Sequence, residues 1–160
     1  MASRPYPDQL DPKAWQRWFA IEGNNLAWDL ATATRTAEQD LEMLNAAHAA
    51  AFHWRQIGTP LNDIRAKMLL AEVHALLGHG ALALVLAGEV AAYFTVHEAP
   101  DWEQAFVHVI QAHAAAVAGD RVLHATAFGR ARQALAAIAD AEDRAVVEKT
   151  FALVPPPVAG

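Results

Sequence analysis

The feature that most constrains this chain is a match to itself. Shifted by 41 positions, Gly78 falls on Gly119, Leu82 on Leu123 and Gly88 on Gly129; Ala71 falls on Ala112, Ala75 on Ala116 and Leu76 on Val117. The starts of two helical stretches, near Pro60 and Asp101, fall into the same register. A unit that recurs at fixed spacing and contains one tight turn is a helical hairpin. Such a hairpin cannot bury its apolar face alone and must stack on a neighbour. The plainer alternative is a helical bundle whose alanines and glycines coincide by chance.

Periodicity and end signals predict about seven helices and no strand. Asp11 caps a first helix running to about Ala33, with Pro12 at its first position and Trp15, Phe19, Leu26 and Leu30 on its apolar face; Gly23-Asn24-Asn25 is a weak spot where it would bend or split. Thr36 with Gln39 forms a capping box for a second helix, whose stripe is Met43, Ala47, Ala50, Trp54 and Ile57. Thr59-Pro60 opens a third helix with Ile64, Met68, Ala71 and Ala75 on one face, and Gly78-His79-Gly80 turns into a fourth. Asp101 with Gln104 caps a fifth, carrying Trp102, Phe106, Val109, His113 and Ala116. Gly119-Asp120 begins a sixth (His124, Phe128, Ala131, Leu135, Ile138) and Asp140 a seventh, with Val147 and Phe151 facing in. The expected organisation is one all-α domain over 8–154. Its hairpins span 12–57, 60–97 and 101–139, with a capping helix at 140–153 and irregular tails at 1–7 and 155–160.

Within the repeat, Ala71, His74 and Leu77-Gly78 are followed by Ala83 and Ala87; the next copy reads Ala112, Ala115 and Ala118-Gly119, with His124 in place of the first alanine of the second helix. This order resembles the tetratricopeptide-repeat (TPR) superfamily over about residues 60–139, although a period of 41 exceeds the usual ~34. The run from His48 to Pro157 is similar to short bacterial TPR-like proteins. The resemblance implies stacked antiparallel hairpins in a short right-handed superhelix. It implies a fold and not an activity.

Composition narrows the function classes. Hydrophobic residues make up 54% and charged residues 19%, which excludes disorder, and the longest apolar stretch, Ala81 to Val96, is interrupted by Gly88 and Glu89 and too short to span a bilayer. A net charge of −6 without a basic run argues against nucleic acid, and the absence of cysteine excludes thiolate metal sites and cysteine nucleophiles. No membrane partner is expected. The N-terminus has no apolar signal region, so a cytoplasmic location is the expectation.

Catalytic signatures are missing, so no catalytic residue and no cofactor is expected. The only serine is Ser3, and neither a phosphate loop nor a dinucleotide fingerprint is present. The eight histidines form pairs five apart (His48/His53, His74/His79, His108/His113), a spacing that separates two side chains by about 140° on a helix and suits chelation poorly. A metal site drawn from several helices is the alternative, with His48, His53, Glu72 and His113 as its candidate ligands. For His113 and His124, on apolar faces, a buried hydrogen-bonded role is the plainer reading. Five tryptophans (Trp15, Trp18, Trp28, Trp54, Trp102) suit either a binding face or packing between hairpins.

In a TPR-like stack the first helix of each pair lines the concave surface. That places Arg65, Met68 and Glu72 of the third helix and Trp102, Phe106, Val109 and His113 of the fifth on a groove, to which the first helix adds Trp18, Glu22 and Asn25. Apolar anchors beside a cation, a carboxylate and an imidazole suit a peptide or a partner's helix. The expected role is therefore a protein- or peptide-binding adaptor, with a homodimer through apolar faces as a further option. The alternative is a small helical metalloprotein or enzyme.

Overall fold

A computed structural model describes residues 6–7 and 11–158; the remainder of the expected tails and the start of the expected domain at 8–10 lie outside the described residues. Among these residues there are seven helices and no strand: α1 (Pro12–Ala31), α2 (Ala37–Ile57), α3 (Pro60–Leu76), α4 (Gly80–Val96), α5 (Asp101–Ala118), α6 (Arg121–Ala137) and α7 (Ala141–Phe151).

Local chemistry sets most of the boundaries. The Lys13 N–H donates to Asp11, with Pro12 at the first helical position. Thr36 and Gln39 form the reciprocal box, with bonds of 2.9 and 3.3 Å, and Thr59 and Asn62 form a second at 3.0 and 3.3 Å. Asp120 and Asp140 accept the first free N–H groups of α6 and α7. Gly78 and Gly119, equivalent in the repeat, close α3 and α5 with φ of 77° and 79°, a left-handed conformation that costs glycine nothing.

Three expectations change. Asp101 is not a cap: Pro100 holds the N-cap and Asp101 is the first helical residue. Its carboxylate accepts the N–H groups of Trp102 (2.8 Å) and of Ala139 (3.2 Å), so it ties the α6–α7 connection to the start of α5. The Gly23-Asn24-Asn25 segment does not split α1, which runs unbroken through it, and Gly23 serves close approach: a Cβ there would lie 2.9 Å from the Ala46 carbonyl oxygen of α2. Finally, α1 stops two residues early because Arg35 folds back. Its guanidinium donates to the carbonyls of Leu30 (2.7 Å) and Ala31 (3.0 Å) and pairs with Asp40 (2.7 Å). These bonds satisfy helix-end acceptors that would otherwise be orphaned.

Consecutive helices pack as antiparallel hairpins. The odd-numbered helices also touch in series, α1 on α3, α3 on α5 and α5 on α7, whereas among the described residues no even-numbered helix touches another. This gives an inner row (α1, α3, α5, α7) and an outer row (α2, α4, α6). Burial is concentrated in the two central helices of the inner row. Ten of 17 positions of α3 and ten of 18 of α5 are buried, against five of 17 in α4 and three of 17 in α6. Alanine makes the close spacing achievable: Ala71, Ala83, Ala105, Ala112, Ala114 and Ala131 are fully buried. Beyond α7, Val154 joins the core and the His124 Nε2–H donates to the Pro155 carbonyl (2.8 Å), which fastens the chain end to α6.

Two glycines of α4 separate close approach from plain helix interior. A Cβ on Gly80 would lie 2.7 Å from the backbone of Ala118, while one on Gly88 meets nothing within 4 Å. Gly88→Ala is therefore expected to raise stability by about 0.5–1 kcal/mol, the helix propensity gain, and Gly80→Ala to lower it. Urea unfolding followed by circular dichroism checks both.

Candidate binding pocket

The inner row encloses a hollow of about 350 Å³ to which all four of its helices contribute. Its walls are Asn24, Trp28, Asp29 and Thr32 of α1; Arg65 and Met68 of α3; Trp102, Glu103 and Phe106 of α5; and Val146, Lys149 and Thr150 of α7. The apolar wall is organised by Trp28 standing edge-on to Phe106, with ring centres 5.4 Å apart and planes at 75°. That geometry is favoured by the ring quadrupoles.

The charged wall is already part-neutralised. Arg65 Nε and Nη2 donate to the two oxygens of Glu103 at 2.6 and 2.9 Å, and the guanidinium carbon lies 5.9 Å from the Trp102 ring centre. Glu103 is buried, so the bidentate pair is what makes its charge tolerable; the hydrogen bond to Glu103 in turn pushes the Arg65 pKa up. Asp29 and Lys149, from opposite ends of the row, are exposed, and among the described residues neither makes an ion pair.

Of the residues expected on the groove, Arg65, Met68, Trp102 and Phe106 line this hollow. Glu72, Val109 and His113 do not. They lie between α3 and α5, with relative exposures of 0, 0 and 4%. Serial contact of the inner helices consumes the face that an open concave surface would leave free. Here the His113 Nδ1–H donates to both oxygens of Glu72 (2.9 and 3.0 Å), across 41 positions, so the two partners occupy the same site in successive hairpins.

Trp18, Glu22 and Asn25 are also absent from the pocket wall. The buried stripe of α1 is Ala20, Ala27 and Ala31. Trp18 is nine residues from Ala27, about 180° around the helix, whereas Trp28 flanks the stripe and turns inward. Trp18 belongs instead to an aromatic surface cluster with Tyr6, Trp15 and Phe19, at ring separations of 5.2–5.9 Å.

The alternative metal ligands are not assembled. His53 stacks on Phe19, His48 lies beside His74, and Glu72 and His113 pair with each other. Among the described residues no group of three or more His, Asp or Glu side chains is arranged to hold a metal ion. What does converge is an imidazole cluster. His74 Nδ1 and His79 Nδ1 are 3.0 Å apart, the His48 ring centre is 5.5 Å from that of His74, and the buried His74 Nε2 has no partner. Burial lowers the His74 pKa, and His48 and His79 lower it further. Burial also lowers that of His108, with Arg130 adding to the effect.

Sequence reasoning did not place Asn24, Trp28, Asp29, Thr32, Glu103, Val146, Lys149 or Thr150 on the groove. Trp28 carried a signal as a tryptophan, and Asp29 and Glu103 as acidic residues adjoining Trp28 and Trp102; α7 read as a cap with no site of its own. No protein-family model, curated protein or solved structure matches the chain.

Two predictions follow from the buried groups. Glu72→Ala or His113→Ala strands one charged or polar partner in the core and should cost about 3–5 kcal/mol, while the double change Glu72→Leu/His113→Leu should recover most of the loss. Equilibrium unfolding of the three variants checks this. For His74 and His108, the unfolded chain takes up protons near the ordinary histidine value of about 6.5 that the folded chain resists. Stability is thus full above that pH and falls as pH drops below it. His74→Leu should flatten the stability profile between about pH 6.5 and 5.5, measured by urea unfolding at each pH.

Proposed function

We propose that this chain is a TPR-like peptide- or protein-binding adaptor, its hairpins forming a short right-handed superhelix, and that its ligand seats an apolar side chain in the hollow of the inner row. The observation that carries this reading is the pocket itself. About 350 Å³ lies within the range of ligand sites, and its apolar wall combines Trp28, Met68, Trp102 and Phe106. Aromatic walls around a single cavity are the usual place for the anchor residue of a peptide. The serial contacts of the inner helices support the TPR-like part of the reading, since a stacked-hairpin array places its first helices side by side.

Selection of a random peptide library on the purified protein tests the reading. Trp28 is half-buried, so Trp28→Ala should leave the helical content unchanged while weakening recovered peptides by about 30-fold, the cost of losing one anchor contact of about 2 kcal/mol. Peptides that bind Trp28→Ala and Trp102→Ala as well as the parent would place the binding surface elsewhere and end the proposal.

A further inference from the structure

We infer that the pocket selects a dipolar peptide segment: an aromatic or large aliphatic residue with a cationic side chain on one side and an anionic one on the other. This inference rests on the reading that the pocket seats a side chain, and it adds the charge pattern around that side chain.

Four charged groups border the cavity. Two are spent: Arg65 and Glu103 satisfy each other through two hydrogen bonds of 2.6 and 2.9 Å, and Arg65 also leans on Trp102. Pulling them apart would leave the buried Glu103 carboxylate unpaired, so the pair stays closed and presents no net charge to a ligand. The other two are Asp29 and Lys149. Both are exposed, and among the described residues both lack an ion-pair partner. They stand on α1 and α7, the two ends of the inner row, which do not touch each other. A carboxylate on α1 and an ammonium on α7, bordering a partly aromatic cavity whose other two charges neutralise each other, match a ligand whose own charges are opposite and flank an apolar centre. Ligands carrying two like charges meet attraction at one wall and repulsion at the other. A ligand of one net sign gains nothing overall, since the four charges bordering the cavity cancel.

The chain direction of the ligand is not set by this argument, so the test varies charge identity and not order. Three blocked pentapeptides serve as probes: acetyl-Lys-Gly-Trp-Gly-Glu-amide and its two like-charged relatives, with lysine at both ends or glutamate at both ends. Titration at low ionic strength, where charge effects are least screened, is followed by the NMR signals of the Trp28 and Trp102 indole N–H groups of the full chain. The mixed-charge peptide should bind about 10-fold tighter than either relative. Asp29→Lys should move the preference to the peptide with two glutamates, and Lys149→Glu to the one with two lysines. Both sites are exposed, so neither change threatens the core. Equal affinity of the parent protein for all three peptides would overturn the dipolar inference and leave the side-chain pocket standing. Failure of all three to shift the indole signals would overturn the pocket reading, and the inference with it.

Discussion

The close approach of α3 to α5 is the interaction on which the rest of the structure depends. More than half of the positions of each helix are buried, and the polar pair Glu72 with His113 joins them across a core that includes Ala71, Ala75, Val109 and Ala112. A carboxylate with no exposure is costly to bury unless its acceptors are filled, and the imidazole N–H is shared between both of its oxygens. Because the two residues stand 41 positions apart, the same repeat position supplies the acid in one hairpin and the base in the next. A slip of the register by one turn would separate them and leave both desolvated. The pair therefore specifies how the hairpins stack more than it stabilises them, consistent with the weak net worth of buried ion pairs.

Once α3 and α5 are fixed, the pocket is a consequence. At the N-terminal part of the same interface the residues are larger, Arg65, Met68, Trp102, Glu103 and Phe106. Arg65 and Glu103 repeat the acid–base pairing but nearer to solvent, with the Arg65 side chain 42% exposed against 2% for Glu103. Bulky side chains at that end hold α1 and α7 away from each other, and the hollow is the space between. Alanine at one end of the contact and aromatic residues at the other thus produce a closed core and an open site from one helix pair.

Much of the fold could be read from the chain because its signals are local. Capping at Thr36 and Thr59, proline at helix starts and glycine after α3 and α5 each act within a few residues. The Asp101 cap failed for a tertiary reason, its carboxylate being recruited by the N–H of Ala139 in a distant connection. The site was half legible. Arg65, Met68, Trp102 and Phe106 share a face with a regular spacing, so periodicity could group them. Glu72 and His113 share that spacing too, and periodicity cannot distinguish a face that opens on a groove from one that meets a neighbouring helix. Trp28 was visible as a tryptophan but not as a pocket wall, because its inward turn depends on the Ala20–Ala27–Ala31 stripe seating α1 on its neighbours. Lys149 and Thr150 had no signal, since nothing in a short polar helix announces which larger surface it will complete.

The arrangement of the pocket also couples binding to the ends of the fold. α1 packs on α2 and α3 and meets α5 through Trp28 and Phe106, and α7 packs on α5 and α6; among the described residues the backbones of α1 and α7 do not pack together. On the proposed reading a ligand that engages Asp29 and Lys149 together would link the two ends of the inner row across the central pair. Anything that binds only the folded arrangement adds its binding free energy to stability. Here that gain would fall on the terminal helices, which bury few side chains: three in α1 and two in α7, against ten in each central helix. Local opening is easiest where burial is least. A site assembled from two such helices around the more deeply buried central pair would therefore be preorganised on its α3 and α5 side and adjustable on its α1 and α7 side.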